Sequence, residues 1–298
     1  VYMKLFGITE LFNKGVKMKT EQIEKMTDKE YFALPAISAS QLKAFDKGAY
    51  YFWKQSPFNP DKEPEKDTDA MMFGKLCHCL LLEPALVEKE FEVVDFGATR
   101  RTKKYEEAKA TMPDKVIVSP AEMERAKKMI ACVGEHKLAS AILNGATAEM
   151  PYVWTDKETG LQCKAKIDAI KRTKNGLVVI DYKTSSSIPE LLHQAQKSQY
   201  ILQANFYCDA VKEKYGEYPC EFVFVIQSNK EGEEDVICVA NVEPESFEVG
   251  KTIMRSYMLQ IKDKLEKWDE TKDKTIWSAY PEREFIAYSN YYLTNGTY

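Results

Sequence analysis

Two aspartates and a lysine sit in the stretch CKAKIDAIKRTKNGLVVIDYKTSSS: Asp168, then Asp181 and Lys183 with Tyr182 between them. The dipeptide Asn175-Gly176 in the middle is a strong two-residue hairpin signal, because both residues tolerate the positive φ of a type I′ turn. Pairing Lys174 with Leu177 across that turn sets Asp168 opposite Lys183 and Ile170 opposite Asp181. Side chains alternate with period two along a strand, so Asp168, Asp181 and Lys183 then share one face. A four-residue loop keeps that parity, and a three-residue loop destroys it.

Two carboxylates and an ammonium at the end of a strand as apolar as GLVVI cost on the order of several kcal/mol per ion in desolvation unless they are paired or metal-bound. Aspartates sharing one site repel when both are ionised, and a hard divalent cation such as Mg²⁺ relieves the repulsion while keeping several of its waters. A lysine beside that water can orient or deprotonate it. Carboxylates, Mg²⁺ and a lysine next to a nucleophilic water describe phosphodiester hydrolysis. A simpler arrangement uses the same residues without chemistry: a cross-strand ion pair of Asp168 with Lys183, and Asp181 solvated at the strand end.

Neighbouring residues extend or weaken that site. Glu149 in AEMPYVWT joins the Asp168 face if the loop around Asp156 to Thr159 is even and turns away if Gly160 makes it odd. Gln203 and Tyr207 stand four apart on one helix face with Tyr200 alongside, either backing the site or simply covering the sheet. In KLCHCLLLEP a histidine lies between two cysteines, in a chain with three histidines in all. On a helix Cys77 and Cys79 point about 200° apart, so Cys77, His78 and Cys79 cannot chelate one ion. The cysteines are core residues, and His78 is either a core residue or a single ligand for a cluster assembled elsewhere. The run TRRTKKYEEAK, from Thr99 to Lys109, is a solvated helix start or a local basic patch.

The elements that must position these residues follow from the pattern along the chain. SASQLKAFDKGAYYFWKQ, residues 38–55, predicts one capped helix, and MMFGKLCHCLLLEP predicts a buried helix stopped at Pro84. SPAEMERAKKMIACVGEHKLASAIL, residues 119–143, predicts another. Three strands follow between Thr147 and Tyr182, then a long helix over 187–216, two strands (CEFVFVIQS and DVICVANV), and a last amphipathic helix before an aromatic tail. The expected organisation is an N-terminal leader or extension over 1–36 and a single domain over 37–298. That domain divides into a helical part (37–146), a sheet core with its helices (147–270) and a tail (271–298). Residues before about Met18 read as a leader or an appended remnant.

Composition sets the outer limits. With 298 residues, 44% of them hydrophobic, the chain has ample material for a packed core, which excludes a disordered protein. No run of about 18 apolar residues and no secretory signal pattern is present, so a soluble, cytosolic protein is expected. Seven scattered cysteines fit reduced thiols rather than a disulfide framework. A net charge of -4 argues against indiscriminate coating of nucleic acid.

The spacing of Asp168, Asp181 and Lys183 resembles the PD-(D/E)xK nuclease motif, and the surrounding segments sharpen the likeness. GKLCHCLLLEP is similar to the glycine-histidine-leucine helix of the RecB-type branch. ETGLQCKAKIDAI is similar to its first-acid strand, VVIDYKTSSS to its acid-lysine strand, and QANFY to its glutamine-x3-tyrosine motif. With ISASQLKAFDKGAYYFW near the start, the arrangement is most similar to the phage RecE family, the exonuclease VIII type, from Ile37 to the last helix. The motif's proline is replaced here by Ile167.

The resemblance implies an α/β, restriction-endonuclease-like core: a central mixed sheet flanked by helices, with an N-terminal helical extension. It implies a Mg²⁺-dependent exodeoxyribonuclease, with Mn²⁺ able to substitute, that degrades linear duplex DNA 5′ to 3′ and leaves 3′ single strands for a RecT-type annealing protein. It also implies a ring-shaped homo-oligomer, a tetramer, in the cytoplasm of a phage-bearing bacterial host. By position, His78, Asp168, Asp181 and the Tyr182 carbonyl would hold the metal, Lys183 would position the water, and Glu149 would match the acid of the preceding strand. Gln203 and Tyr207 would back the site or touch the substrate, and Arg100, Arg101 and Ser185 are candidates for phosphate contacts.

Two alternatives stay open: another RecB-branch nuclease of different polarity or an endonuclease, and a non-catalytic DNA-end-binding module. An iron-sulfur cluster is not expected, since no cysteine follows Cys238. Nor is ATP, since no GxxxxGK[ST] loop occurs.

Overall fold

The computed structural model describes residues 26, 28–63, 67–97, 99–196 and 199–278, without the side chains of 28, 29, 149 and 194–196. Most of the expected leader or extension and most of the expected tail lie outside these residues. Element α1 (Asp28–Ala33) precedes α2 (Ala39–Asp46) and α3 (Ala49–Gln55). Next come α4 (Asp69–Leu82), α5 (Val87–Glu90), β1 (Phe91–Val93), α6 (Lys103–Thr111), β2 (Val116–Val118), α7 (Pro120–Glu135) and α8 (Lys137–Leu143). The sheet region holds β3 (Thr147–Thr155), β4 (Gln162–Thr173) and β5 (Gly176–Ser185), followed by α9 (Ile188–Gln196) and α10 (Gln199–Tyr215). It closes with β6 (Glu221–Ser228), β7 (Ile237–Asn241) and α11 (Pro244–Thr271).

Three expected helices are each split in two, for local reasons. The 38–55 helix begins at Ser38, whose N–H donates to the Gln41 side chain, and breaks at Gly48, where φ is 131°. The 119–143 helix breaks at His136, whose Nδ1 accepts from the Ala139 N–H at 3.1 Å and so caps the second piece. The 187–216 helix becomes α9 and α10, with 197–198 outside the described residues. Pro84 stops α4 as expected and opens a short 3-10 turn. The helical part also contains a parallel β1–β2 pair that the pattern did not announce, each strand being only three residues long.

The main sheet runs in the order β3-β4-β5-β6-β7, antiparallel except for the parallel β5–β6 pair, which α9 and α10 connect. Apolar side chains leave β5 and β6 on both faces, as expected of strands buried on both sides. Leu177, Val179, Phe222, Phe224 and Ile226 face a core shared with α2, α3, α10 and α11. Val178, Ile180, Tyr182, Val223 and Val225 face a second core shared with α4 and α7. The N-terminal helices thus supply layers on both faces of the sheet.

The β4–β5 turn lies one residue earlier than expected, which shifts the cross-strand register by two. Thr173 pairs with Gly176, so Lys174 and Asn175 form the loop and Gly176 alone takes a positive φ, 134°. The Thr173 hydroxyl closes this turn: it accepts from the Asn175 N–H at 3.2 Å and donates to the Gly176 carbonyl at 3.0 Å. A shift of two preserves the side-chain parity but changes the partners, because Ala169 pairs with Ile180 and Asp181, not Lys183, comes level with Asp168.

Helix α10 owes its position to a close crossing with α11 at Gly250. Asn205 Nδ2 donates to the carbonyls of Ile201 and Phe247, 3.0 Å each, and a Cβ on Gly250 would overlap Ile201 Cγ2. Alanine gains about 1 kcal/mol of helix propensity over glycine, so a net loss in Gly250→Ala would understate the crowding by that amount. In urea unfolding, Gly250→Val is expected to lose about 1–3 kcal/mol through overpacking; equal or greater stability would contradict the close crossing.

Candidate active site

The β4–β5 ladder ends at the Ala169–Ile180 pair, and a side chain takes over the next backbone donor. Asp168 Oδ2 accepts from the Tyr182 N–H at 2.8 Å. The two strands part at this point, and in the gap lie Asp168, Asp181 and Lys183. Asp181 is fully buried, and its Oδ2 meets the Lys183 ammonium at 2.5 Å without the alignment of a hydrogen bond, leaving that buried oxygen with no hydrogen-bond donor. Its Oδ1 accepts from Gln203 Nε2 at 2.6 Å.

Helix α4 delivers His78 from the other side of the sheet. Its Nδ1 lies 3.6 Å from Asp168 Oδ2, and its ring packs edge-on against Tyr182 at 5.1 Å. Cys77 and Cys79 flank it in the buried core, so the three side chains part company as helical geometry requires. Tyr182 turns its side chain into the same core, where its hydroxyl donates to Gln227 Oε1 at 2.6 Å.

The electrostatics follow from burial and like charge. Burial, and then the charge of Asp181, push the Asp168 carboxyl up to about 7. Burial works against the charge on Lys183, but Asp181 and Asp168 outweigh it and its proton affinity is raised. Burial, helped by Lys183, holds His78 down at about 4, so the imidazole is neutral near pH 7 and offers a lone pair. Burial, then the two aspartates, raise the Tyr207 hydroxyl.

The residues expected for the site fall into three groups. Asp168, Asp181, Lys183, His78 and Gln203 are brought together, and Tyr207 lies on the same helix face as Gln203, within reach of both aspartates' charge. For Glu149, the pairs Ala148–Ala169 and Met150–Ile167 put its strand position across from Asp168, while its side chain lies outside the described residues. Arg100 and Ser185 are engaged within the chain. The Arg100 guanidinium is held by Glu122 at 2.7 Å and Asp69 at 3.3 Å, over the rings of Phe96 and Tyr105. Ser185 Oγ accepts from the Ser187 N–H and donates to the Ser187 carbonyl. Arg101 is exposed.

One residue escaped the sequence reading. Lys43, on α2, donates to Gln203 Oε1 at 2.8 Å and lies 5.3 Å from the centre of the Tyr200 ring. Burial, then Lys183, lower its proton affinity to about 8. A cavity of about 200 Å³ opens beside it, lined also by Ser40, Lys47, Gln55 and Tyr200. Ser40, Lys43 and Lys47 recur at helical spacing opposite the apolar Leu42 and Phe45, which was the available signal. No group of three or more His, Cys, Asp or Glu side chains among the described residues stands at metal-binding separation.

A curled mixed sheet with helices on both faces, and acid and lysine side chains where its central strands part, define the PD-(D/E)xK, restriction-endonuclease-like fold. The chain belongs to the PDDEXK-like domain family of unknown function DUF3799, whose model matches residues 38–290. A crystal structure from Eubacterium rectale, described as that of a candidate exonuclease, superposes with a TM-score of 0.52 at 13% identity, covering 83% of this chain and 87% of that one. The crystal structure of SSO0001 aligns over 87% of this chain and 86% of its own at 12% identity, with a TM-score of 0.33. No curated protein matches the chain. Among the described residues no helix is long and apolar enough to cross a membrane, and no disulfide forms.

The two arginines give a test of which residues serve structure. Arg100→Ala leaves Glu122 without its closest cation and is expected to cost about 1–3 kcal/mol in urea unfolding. Arg101→Ala, on the surface, should stay within about 0.5 kcal/mol of the parent. Equal effects would remove the structural assignment of Arg100.

Proposed function

We propose that this chain is a Mg²⁺-dependent exodeoxyribonuclease that hydrolyses linear duplex DNA from its 5′ ends. The observation that carries this reading is the meeting of fully buried Asp181, half-buried Asp168, His78 and Lys183 where β4 and β5 part. Two carboxylates set against one ammonium leave an excess of negative charge that a further cation would offset. Two carboxylates, a neutral imidazole and the Tyr182 carbonyl between Asp181 and Lys183 are donor types that a divalent ion takes, and binding would have to draw them closer together than they stand. Bound there, Mg²⁺ would relieve the repulsion between the aspartates, withdraw charge from the phosphate and make water a better nucleophile.

The chain's own residues do the rest. The raised proton affinity of Lys183 keeps it a cation near neutral pH, so it orients the attacking water and stabilises the charge growing on the phosphate oxygens, rather than removing a proton. Gln203 fixes Asp181, and Tyr207 backs Gln203 on the next turn of α10. The exposed Arg101, Lys103 and Lys104 would meet backbone phosphates, giving salt-dependent binding on a chain that is acidic overall. By resemblance to the RecE family, the product would be a 3′ single strand passed to a RecT-type annealing protein. The enzyme would act as a ring-shaped tetramer in the cytoplasm of a phage-bearing bacterium.

Linear duplex labelled separately at its 5′ and 3′ ends, incubated with Mg²⁺ and without ATP, tests the reading. The 5′ label should be released first, EDTA should stop the reaction, and Asp181→Ala or Lys183→Ala should lower kcat by at least about a thousandfold while the fold persists. Activity surviving in both variants would sink the assignment, and release of the 3′ label first would reverse the polarity.

A further inference from the structure

A second lysine reaches the site through an amide. Lys43 comes from α2 and Gln203 from α10, and their contact is 2.8 Å between Lys43 Nζ and Gln203 Oε1. Lysine has donors and no acceptor, so the glutamine must present its oxygen to Lys43. The amide nitrogen then has one direction left, and it donates to Asp181 Oδ1 at 2.6 Å. Turning the amide over would lose both bonds and aim an N–H₂ group at an ammonium while setting an oxygen against a carboxylate.

Asp181 is thereby made asymmetric. Oδ1 is tied to the protein, while Oδ2 has no hydrogen-bond donor and faces the Lys183 ammonium. Lys43 is itself held in place, since its ammonium lies 5.3 Å from the centre of the Tyr200 ring, one helical turn before Gln203. Resting on the metal-dependent reading above, we infer that Lys43 is a positioning residue: by fixing which way the Gln203 amide faces, it leaves Asp181 Oδ2 as the oxygen offered to the cation. The assignment concerns orientation, because Lys43 hydrogen-bonds Gln203 rather than either aspartate and acts through that amide.

The same contact ties the two helices at the site. α2 and α10 both pack on the sheet face that carries Leu177 and Val179, and the Lys43–Gln203 bond is where their polar sides meet. Arginine at 43 has donors and likewise no acceptor, so it preserves the constraint on the amide; methionine keeps the bulk and removes it.

The test compares Lys43→Met, Lys43→Arg and the parent by three measurements. In the DNA-free protein, the Gln203 side-chain amide signals, assigned with Gln203→Ala, should be slow to exchange in the parent and in Lys43→Arg, and should shift and exchange rapidly in Lys43→Met. Mn²⁺ binding to the DNA-free protein, followed by electron paramagnetic resonance, should weaken about tenfold in Lys43→Met and recover in Lys43→Arg. On linear duplex with Mg²⁺, Lys43→Met should lower kcat by about 10- to 100-fold and leave KM within about twofold. Parent-like amide signals and Mn²⁺ affinity in a folded Lys43→Met would overturn the inference, as would a loss confined to KM, which would make Lys43 a substrate contact. A parent protein that hydrolyses no DNA would fail the functional reading instead, and the amide and Mn²⁺ measurements would still decide the role of Lys43.

Discussion

A single hydrogen bond, from the Tyr182 N–H to Asp168 Oδ2, marks the place where the central sheet stops being a ladder. Up to Ala169 and Ile180, β4 and β5 satisfy each other's backbone. Beyond them a carboxylate supplies the acceptor, so the strands separate without leaving a buried N–H unpaired. The gap holds two aspartates and a lysine that no regular strand pair could keep so close, since like charges directly across a ladder are destabilising. The surroundings answer that constraint: Lys183 meets one oxygen of Asp181, the Gln203 amide takes the other, and Lys43 steadies Gln203.

The layers on the two faces have different tasks. On one face α10 brings Gln203 and Tyr207 and α2 brings Lys43, so the polar contacts to Asp181 come from helices packed on Leu177, Val179 and the phenylalanines of β6. On the other face α4 sinks its cysteines into the core and leaves His78 half-buried near Asp168. The site therefore draws on residues from 43 to 207, and it exists only when both layers are in place. The close α10–α11 crossing at Gly250 matters for the same reason, because it sets where Gln203 stands.

Much of the site was readable in the chain because its parts lie on one hairpin. Parity along β4 and β5 places Asp168, Asp181 and Lys183 on one face in any register that differs by two, so the face survived a turn that formed at Lys174-Asn175 instead of Asn175-Gly176. The pairing within that face did not survive, since the Thr173 hydroxyl decided which residues close the turn. The continuous apolar patterns over 38–55 and 119–143 concealed helix breaks at Gly48 and His136, where a positive φ and a side-chain cap redirect the backbone while the apolar face continues. Arg100 looked available in sequence because nothing local announces Glu122 and Asp69, which lie far along the chain.

Residue type and spacing by themselves determined the kind of protein: an α/β chain with a central sheet, a hairpin bearing two acids and a lysine, and a lone histidine unable to chelate with its neighbouring cysteines. These follow from periodicities of 2.0 and about 3.6 residues, which are local properties of the backbone. Tertiary structure decided the rest. It set Asp181, rather than Lys183, level with Asp168, withdrew Arg100 and Ser185 into internal bonds, and brought Lys43 from the first helical layer to the amide of Gln203. Contacts between residues so far apart depend on how helices seat on the sheet, and a one-dimensional pattern carries no record of that seating.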